Sequence, residues 1–345
     1  MPDRPGLLLT GATGVIGRAL LPLLGGFDVV SLRHRAVADG ASVRGDLTAA
    51  RFGLDEAAYA RLVDRTTTVV HAAAVTDFGV GEPATSTLNV DGTARVLDLA
   101  AEAGARVLYV STAFVARTDL TTEARGGRRW EAAVSPEAYL SSKRRAEALV
   151  RGSGLETTIA RPSVVLGDSR TGAITRLQGL HAVFRGILRN QVPLMPMPAS
   201  SPVDVVPVDV VAEALAALVS APHPAGEYWL TAGPAAPSVA DLAGECVRQA
   251  RAAGRPVDDP RFVTRDMVER LFRPVFVDPL PDRLRRRFDD LVAMTALFAD
   301  APGFPTSLGA IPGGPQRLTR EAVDAAVTAS VAFVAGGRAG SSAAA

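Results

Sequence analysis

A doubly wound α/β fold, with a parallel sheet of about seven strands and a smaller, mainly helical C-terminal lobe, is what this 345-residue sequence predicts. Three observations carry that prediction. The apolar run Leu7-Leu-Leu enters a turn with glycines at positions 11, 14 and 17. Apolar, strand-like runs then alternate with helix-periodic stretches as far as Pro162. Beyond Ala173 the pattern changes to helices and proline-rich loops, which sets off a second lobe. The expected division is a nucleotide-binding domain over residues 1–172 and a lobe over 173–335, with 203–235 returning to the sheet. A disordered tail is expected over 336–345.

Composition sets the bounds. The chain is 48% hydrophobic, ample for a sizeable core, and its net charge of +1 offers no footprint for nucleic acid or an acidic membrane. One cysteine, Cys246, excludes an intramolecular disulfide framework and fits a reducing compartment; in its helical pattern it reads as packed rather than nucleophilic. No run reaches the ~18–20 apolar residues of a membrane span, and the N-terminus carries no cleavable signal pattern, so a soluble, cytoplasmic protein is expected. No metal is called for and no internal repeat is visible. One oddity stands out: of 37 basic residues only Lys143 is a lysine, and it falls four residues after one of the four tyrosines.

The first strand ends at Thr10. Gly11 permits the sharp exit from it, Gly14 lets backbone N–H groups approach a pyrophosphate at a helix N-terminus, and Gly17 lets that helix lie against the sheet. With Thr13, Val15 and Ile16 between them, these glycines fit a Rossmann-type dinucleotide cradle; the plainer alternative is a glycine-rich turn. Phe27–Leu32 reads as the second strand, whose tip distinguishes NAD from NADP. That tip, Leu32-Arg33-His34-Arg35, holds no acid. Arg33 and Arg35 either accommodate a 2′-phosphate, making the cofactor NADPH/NADP, or solvate a loop, while Asp28 is left a structural role. Ser42–Leu47 reads as a short third strand, and a helix is expected over about Thr48–Val63.

Thr67–Ala74 is a fourth strand, and the small Ala72, Ala73 and Ala74 leave room for a cofactor ribose across the strand ends. His71 on that strand reads as a packed residue rather than a base. Leu88–Thr93 starts a helix with Val96, Leu97, Leu99 and Ala100 on its apolar face. Arg106–Thr112 is the fifth strand and delivers the hydroxyls of Ser111 and Thr112 at its carboxyl end, where open α/β sheets hold ligands. Site residues are the favoured reading there; ordinary turn residues are the alternative. An arginine-rich loop covers about residues 117–134, and Ser135-Pro-Glu opens the next helix with a cap and an N1 proline.

That helix carries Tyr139 and Lys143 one turn apart, hence on one face. A phenol of pKa near 10 is a poor proton donor or acceptor at neutral pH, and an ammonium one turn away would stabilise its phenolate and bring the pKa down. Glu156–Pro162 is the sixth strand. Further on, Val192–Pro198 contains methionines that either line a site or fill a packing gap. Glu227–Thr231 should add a strand, and Ser238–Asp241 has the form of a capping box. Residues 262–300 read as helical. Their Arg283, Arg285, Arg286 and Arg287 either meet phosphates or form a solvated helix face.

The TGxxGxxG spacing resembles the extended short-chain dehydrogenase/reductases. More narrowly, HAAAVTDF, YVSTAFV, YLSSKRRAE and ARPSVVLGDSRTG, with Pro202–Asp209, resemble the fatty acyl-CoA reductase and thioester reductase branch, the male sterility-type NAD-binding domains, over about residues 5–235. The resemblance implies reduction of an acyl thioester, held on coenzyme A or on the phosphopantetheine arm of a carrier protein, to an aldehyde or alcohol with NADPH. It implies Tyr139 as proton donor, Lys143 binding ribose and tuning Tyr139, Thr112 hydrogen-bonding the carbonyl oxygen, and Asn89 of an NVxGT pattern completing the relay. Asp46 and the following Leu47 would contact the adenine, and Pro162, Val164 and Val165 would complete the cofactor site. Two other readings stand beside it: oxidoreduction or epimerisation of an alcohol, ketone or nucleotide sugar, and a non-catalytic NADP sensor, against which Tyr139, Lys143 and Thr112 together argue.

Overall fold

The computed structural model describes residues 4–34, 41–78, 81–117, 136–222, 224–295, 297–298 and 303–337. Within them the chain runs β1 (Gly6–Thr10), α1 (Val15–Leu20), β2 (Asp28–Arg33), β3 (Ser42–Arg44), α2 (Glu56–Arg65), β4 (Thr68–His71), α3 (Glu82–Ser86), α4 (Gly92–Ala103), β5 (Arg106–Val110) and α5 (Pro136–Gly152). It continues through β6 (Thr157–Pro162), β7 (Val164–Leu166), α6 (Gly179–Leu188), β8 (Leu194–Met195), β9 (Val205–Pro207), α7 (Val208–Ser220) and β10 (Gly226–Leu230). The last elements are α8 (Val239–Ala252), β11 (Arg261–Phe262), α9 (Arg265–Met267), α10 (Asp282–Thr295) and α11 (Arg320–Ala335).

Seven strands form one sheet in the order β10-β6-β5-β4-β1-β2-β3, all pairings parallel. The order reverses between β1 and β4, the switch point at which such sheets leave a crevice beyond the strand carboxyl ends. Alternation of side chains explains why both faces are covered. On β1, Leu7 and Leu9 join one core with Leu108, Val110 and residues of α1 and α7, whereas Leu8 joins the opposite core with Val69, Val107, Ile159 and residues of α2, α4 and α5. The strand expected near Glu227 does extend the sheet, as β10 against β6.

Two expectations need correction. The helix expected from Thr48 begins only at Glu56, because Ala50–Gly53 is a 3-10 turn in which Arg51 and Phe52 take φ of 48° and 56°. That left-handed pair breaks the helical path and buries Phe52, and Asp55 then caps α2 by accepting from the Ala58 amide at 2.7 Å. Asn89 does not open a helix: it lies inside a π-helical turn, Thr87–Asp91, between α3 and α4. The Arg-rich loop beyond Arg117, the Ser135 cap and the tail beyond Gly337 lie outside the described residues.

The lobe core joins α6, α8 and α11. Met195 and Met197 are buried in it beside Phe184, Leu242 and Val327, so the methionines fill a packing gap. Cys246 is a free, buried thiol in the same core, and burial pushes its pKa up to about 12, leaving it unreactive. The capping box at α8 forms as expected, Ser238 and Asp241 bonding each other's backbone and side chains. From Val268 to Val277 the helical stretch takes π geometry around Pro274. Among the described residues no helix is long and apolar enough to cross a membrane.

Candidate functional site

The glycine turn stands at the switch point. Gly11 has φ of 75°, and a Cβ there would lie 2.6 Å from the Ala72 carbonyl carbon, so only glycine lets β1 turn away beside β4. A Cβ on Gly17 would lie 2.2 Å from the Gly11 oxygen, which is how closely α1 approaches the turn. The Gly14 amide donates to the Gly11 carbonyl at 2.9 Å and closes the turn, and a Cβ on Gly14 would come no nearer than 3.2 Å, to that same oxygen. Thr13 accepts from Arg18 through its carbonyl at 3.1 Å. Val15 and Ile16 form the first turn of α1, both partly buried. A turn this tight, with glycine at both ends and a helix N-terminus behind it, fits a dinucleotide pyrophosphate.

Beside it runs a hydrogen-bonded chain. The Thr93 hydroxyl donates to the Asn89 carbonyl at 2.6 Å and therefore accepts from His71 Nε2, 3.0 Å away. His71 Nδ1 is then the acceptor for the Thr10 hydroxyl at 2.6 Å, and Thr10 Oγ1 accepts from the Ala73 amide at 3.3 Å. Every proton in the chain is assigned by its neighbours, which fixes the Nε2–H tautomer. Burial pushes the His71 pKa down to about 3, with the Lys143 charge adding to the effect, so the ring stays neutral. His71 is packed, as the sequence suggests, but it also ties the end of β1 to the Asn89 turn.

Tyr139 and Lys143 rise from α5 toward the end of β5. Lys143 is buried, with Nζ donating to the Val110 carbonyl at 2.8 Å and lying 4.2 Å from the centre of the Tyr109 ring. Burial pushes its pKa down to about 7, and Glu147 pulls the other way. Tyr139 runs against expectation: burial pushes its phenol up to about 12, and the group opposing that shift is the Thr112 hydroxyl, not the lysine. The physical reason is that burial takes the Lys143 ammonium down to about 7, so it has given up its charge before the phenol would ionise. Thr112 is buried and caps the 3-10 turn Ala113–Ala116. Asn89 uses its amide to clamp the Val75 backbone, accepting at 2.8 Å and donating at 3.0 Å, and donates to Ser142 Oγ at 2.9 Å. It therefore braces α5 next to Lys143 through Ser142.

An aromatic wall adjoins the phenol. Phe78 lies 5.3 Å from the Tyr139 ring, Phe114 packs edge-on to Phe298 and Phe304 at 5.4 and 5.3 Å, and Trp229 stacks on Phe304. Arg117 lies 4.2 Å over the Phe304 ring. Of the remaining expected residues, Arg33 ends β2 partly buried, and Arg35 lies outside the described residues. Asp28 pairs with Arg65 at 2.8 Å, a structural role. Asp46 accepts from the Thr48 amide and hydroxyl through one oxygen, which holds its carboxyl below the usual range, and the Leu47 carbonyl accepts from Arg95 at 3.3 Å. Ala72 and Ala74 follow β4 partly buried, Pro162 ends β6, and Val164 pairs with Val205. Val165 is buried in the same core as Leu7. Arg285 bonds Asp282 at 2.9 Å, and the Arg283, Arg286 and Arg287 side chains lie outside the described set.

Residues 30–215, more than half of the chain, match the NAD-binding family described as "Male sterility protein". The chain belongs to the male sterility protein family. It is 30% identical over 240 residues to the hybrid PKS-NRPS synthetase pvhA of Talaromyces variabilis, covering 63% of this chain and 6% of that protein. A 68-residue stretch, 20% of the chain, is 43% identical to glycine betaine reductase ATRR of Emericella nidulans and covers 5% of it. The chain thus spans a small fraction of both curated relatives. Among solved structures, the terminal R domain of the myxalamid PKS-NRPS biosynthetic pathway superposes with a TM-score of 0.69 at 23% identity, over 96% of this chain and 92% of that one. The reductase (R) domain of a nonribosomal peptide synthetase from Mycobacterium tuberculosis gives 0.65 at 21%, over 97% and 93%. The Bordetella bronchiseptica enzyme WbmH, in complex with NAD+, gives 0.62 at 19%, over 95% and 98%. At these identities the likeness is one of fold. Membership of the male sterility family, together with this fold, places the chain among the NAD(P)-dependent oxidoreductases of the extended short-chain dehydrogenase/reductase type.

Proposed function

We propose that the chain is an NADPH-dependent reductase of acyl thioesters, presented on coenzyme A or on the phosphopantetheine arm of a carrier protein, with residues 1–172 as its nucleotide-binding part and 173–335 as its substrate lobe. The observation that carries this reading is the Tyr139 phenol standing between the Thr112 hydroxyl and the apolar wall of Phe78, Phe114 and Phe298. Hydroxyl donors on one side suit a carbonyl oxygen, and aromatic rings on the other suit an acyl chain. The Gly11–Gly17 turn, Ala72, Ala73 and the end of β6 would hold the dinucleotide, with Arg33 at its 2′-phosphate. When bound, the reduced nicotinamide supplies a hydride to the carbonyl carbon.

Tyr139 and Thr112 stabilise the charge that develops on the substrate oxygen, where fixed donors in a dry site count most. Tyr139 passes its proton to that oxygen as the C=O π bond breaks, giving a hemithioacetal. The C–S bond then breaks, its electron pair leaves on sulfur, and the hydroxyl proton ends on the thiol as the aldehyde forms. The phenolate left on Tyr139 takes back one proton from solvent before the next turnover, with Lys143 one helical turn away as the nearby cationic group. A second reduction to the alcohol follows only if the aldehyde stays bound.

Incubation with NADPH and a panel of acyl-CoA and phosphopantetheinyl thioesters, following free thiol and 340 nm absorbance, tests the reading. Thiol release matched to NADPH consumption is expected. NADPH oxidation by ketones or nucleotide sugars without thiol release from any thioester would replace it with the alcohol and sugar reading, and binding without turnover on any substrate would favour the sensor.

A further inference from the structure

We infer that Glu147 is the residue that keeps Lys143 in its ammonium form, a charge-holding position one helical turn beyond the lysine. It acts through Lys143 and touches no substrate. Tyr139, Lys143 and Glu147 follow one another at four-residue spacing, so all three share the face of α5 that lies on the sheet. Lys143 and Glu147 are both buried, where the attraction between opposite charges is far stronger than in water.

The surroundings of Lys143 leave little else for this role. From β5 it meets the Val110 carbonyl and the Tyr109 ring, from β4 the neutral His71 lies close enough to feel its charge, and from its own helix the Glu147 carboxylate acts on it across one turn. Among these Glu147 is the anion. Its own charge is secured from the far side. Arg161 on β6 grips it with Nε at 2.9 Å and Nη2 at 2.8 Å, and Arg151 adds Nη2 at 2.7 Å. Glu227 on β10 completes the cluster, accepting from Arg161 at 2.7 Å and from Arg151 at 2.6 Å. Burial pushes the Glu147 carboxyl up, but the Arg161 hydrogen bonds, the nearby Ser111 hydroxyl and the two arginine charges outweigh it and hold the group ionised. The order of charges from the crevice outward is therefore Lys143, Glu147, Arg161, Glu227. Removing Glu147 would leave Lys143 and Arg161 facing each other as like charges.

The inference rests on the reading of Lys143 as a working group, yet its test needs neither cofactor nor substrate. Because Lys143 is the only lysine, protein labelled with 13C- and 15N-lysine gives one side-chain signal, and its chemical shift against pH reads the lysine directly. Glu147→Gln should lower the midpoint of that titration by about one unit or more. Glu227→Gln, which removes an acid of the same cluster beyond Arg161, should lower it less. A Glu147→Gln protein with native circular dichroism and an unmoved midpoint would overturn the inference, since a clamp that merely joins α5 to β6 would leave the lysine titration where it was. Should Glu147→Gln fail to fold, Glu147→Asp keeps the charge but draws it back by one methylene, and its midpoint should fall by a smaller, resolvable amount; no change there overturns the inference equally. A shifted midpoint in a protein that reduces no thioester sinks the proposed substrate alone.

Discussion

The ammonium of Lys143 donates to the Val110 carbonyl at 2.8 Å, tying the chain's one lysine to the end of the strand that leads into Thr112. The tyrosine helix and the hydroxyl that would meet the substrate oxygen are thereby held in register by a bond between them, and the slot around the lysine is dry. A point charge fits such a slot and a planar fork does not.

Lys143→Arg should accordingly fail despite keeping the charge, losing roughly 100-fold or more in kcat/KM and several degrees in Tm. Lys143→Met, which fills the slot without a charge, should fold normally and lose comparable activity. Tyr139→Phe should lose about 100-fold to 10,000-fold in turnover while its NADPH Kd stays unchanged. Steady-state kinetics beside thermal melts and a fluorescence titration separate the three, and an active Tyr139→Phe protein would remove the catalytic reading.

Stability should fall with acid through His71. Its folded pKa of about 3 lies below the ordinary 6.5, so the unfolded chain binds the proton first. The stabilisation is full above pH 6.5 and is lost as pH drops toward 3, on the order of several kcal/mol across the window. Lys143 has the same sign at higher pH: its contribution is full above 10.5 and lost as pH falls to about 7. His71→Asn, which cannot take the proton, should start from a lower Tm at pH 7 and show a shallower decline between pH 6.5 and 4. Parallel declines in the two proteins would show that the relay is not the acid-sensitive element.

The glycines of the turn should separate by position. Gly17→Ala places a methyl 2.2 Å from the Gly11 oxygen and must push α1 off the turn, costing roughly 1–3 kcal/mol and NADPH binding together. Gly14→Ala meets only that oxygen, at 3.2 Å, and should fold while binding NADPH more weakly. Melts with and without NADPH read both effects.

Arg33→Ala should weaken NADPH by about 10-fold or more and leave NADH unchanged, as expected for one charge-assisted phosphate contact. Equal titration curves for NADPH in the parent and the variant would remove Arg33 from the 2′-phosphate.

How much of this was legible in the sequence depended on the range of the signal. Strands β1, β2, β4 and β5 announce themselves as short runs rich in apolar residues because both faces of the middle of a parallel sheet are buried. The Ala50–Gly53 turn does not, since Arg51 and Phe52 adopt left-handed backbone that their residue types rarely take. Neither π-helical stretch has a pattern to read, because each is a local irregularity inside an otherwise helical period. Tyr139 and Lys143 stand out by spacing and by the rarity of lysine, whereas the burial that raises one pKa and lowers the other belongs to tertiary packing. Glu147 sits in plain view in YLSSKRRAE, but its partners Arg161 and Glu227 arrive from β6 and β10, and nothing local links them.

The edge of the sheet is completed late. β6 pairs with β10 only after the stretch from Ser163 to Ala225 has been made. As the chain leaves the ribosome, β6 therefore presents an open, hydrogen-bond-hungry margin for the whole time that α6 and α7 are being synthesised, with half of the Arg161 clamp still missing. Polypeptides cut short before Gly226 would keep that margin permanently and should associate through it. Translation speed over this stretch is then a determinant of soluble yield.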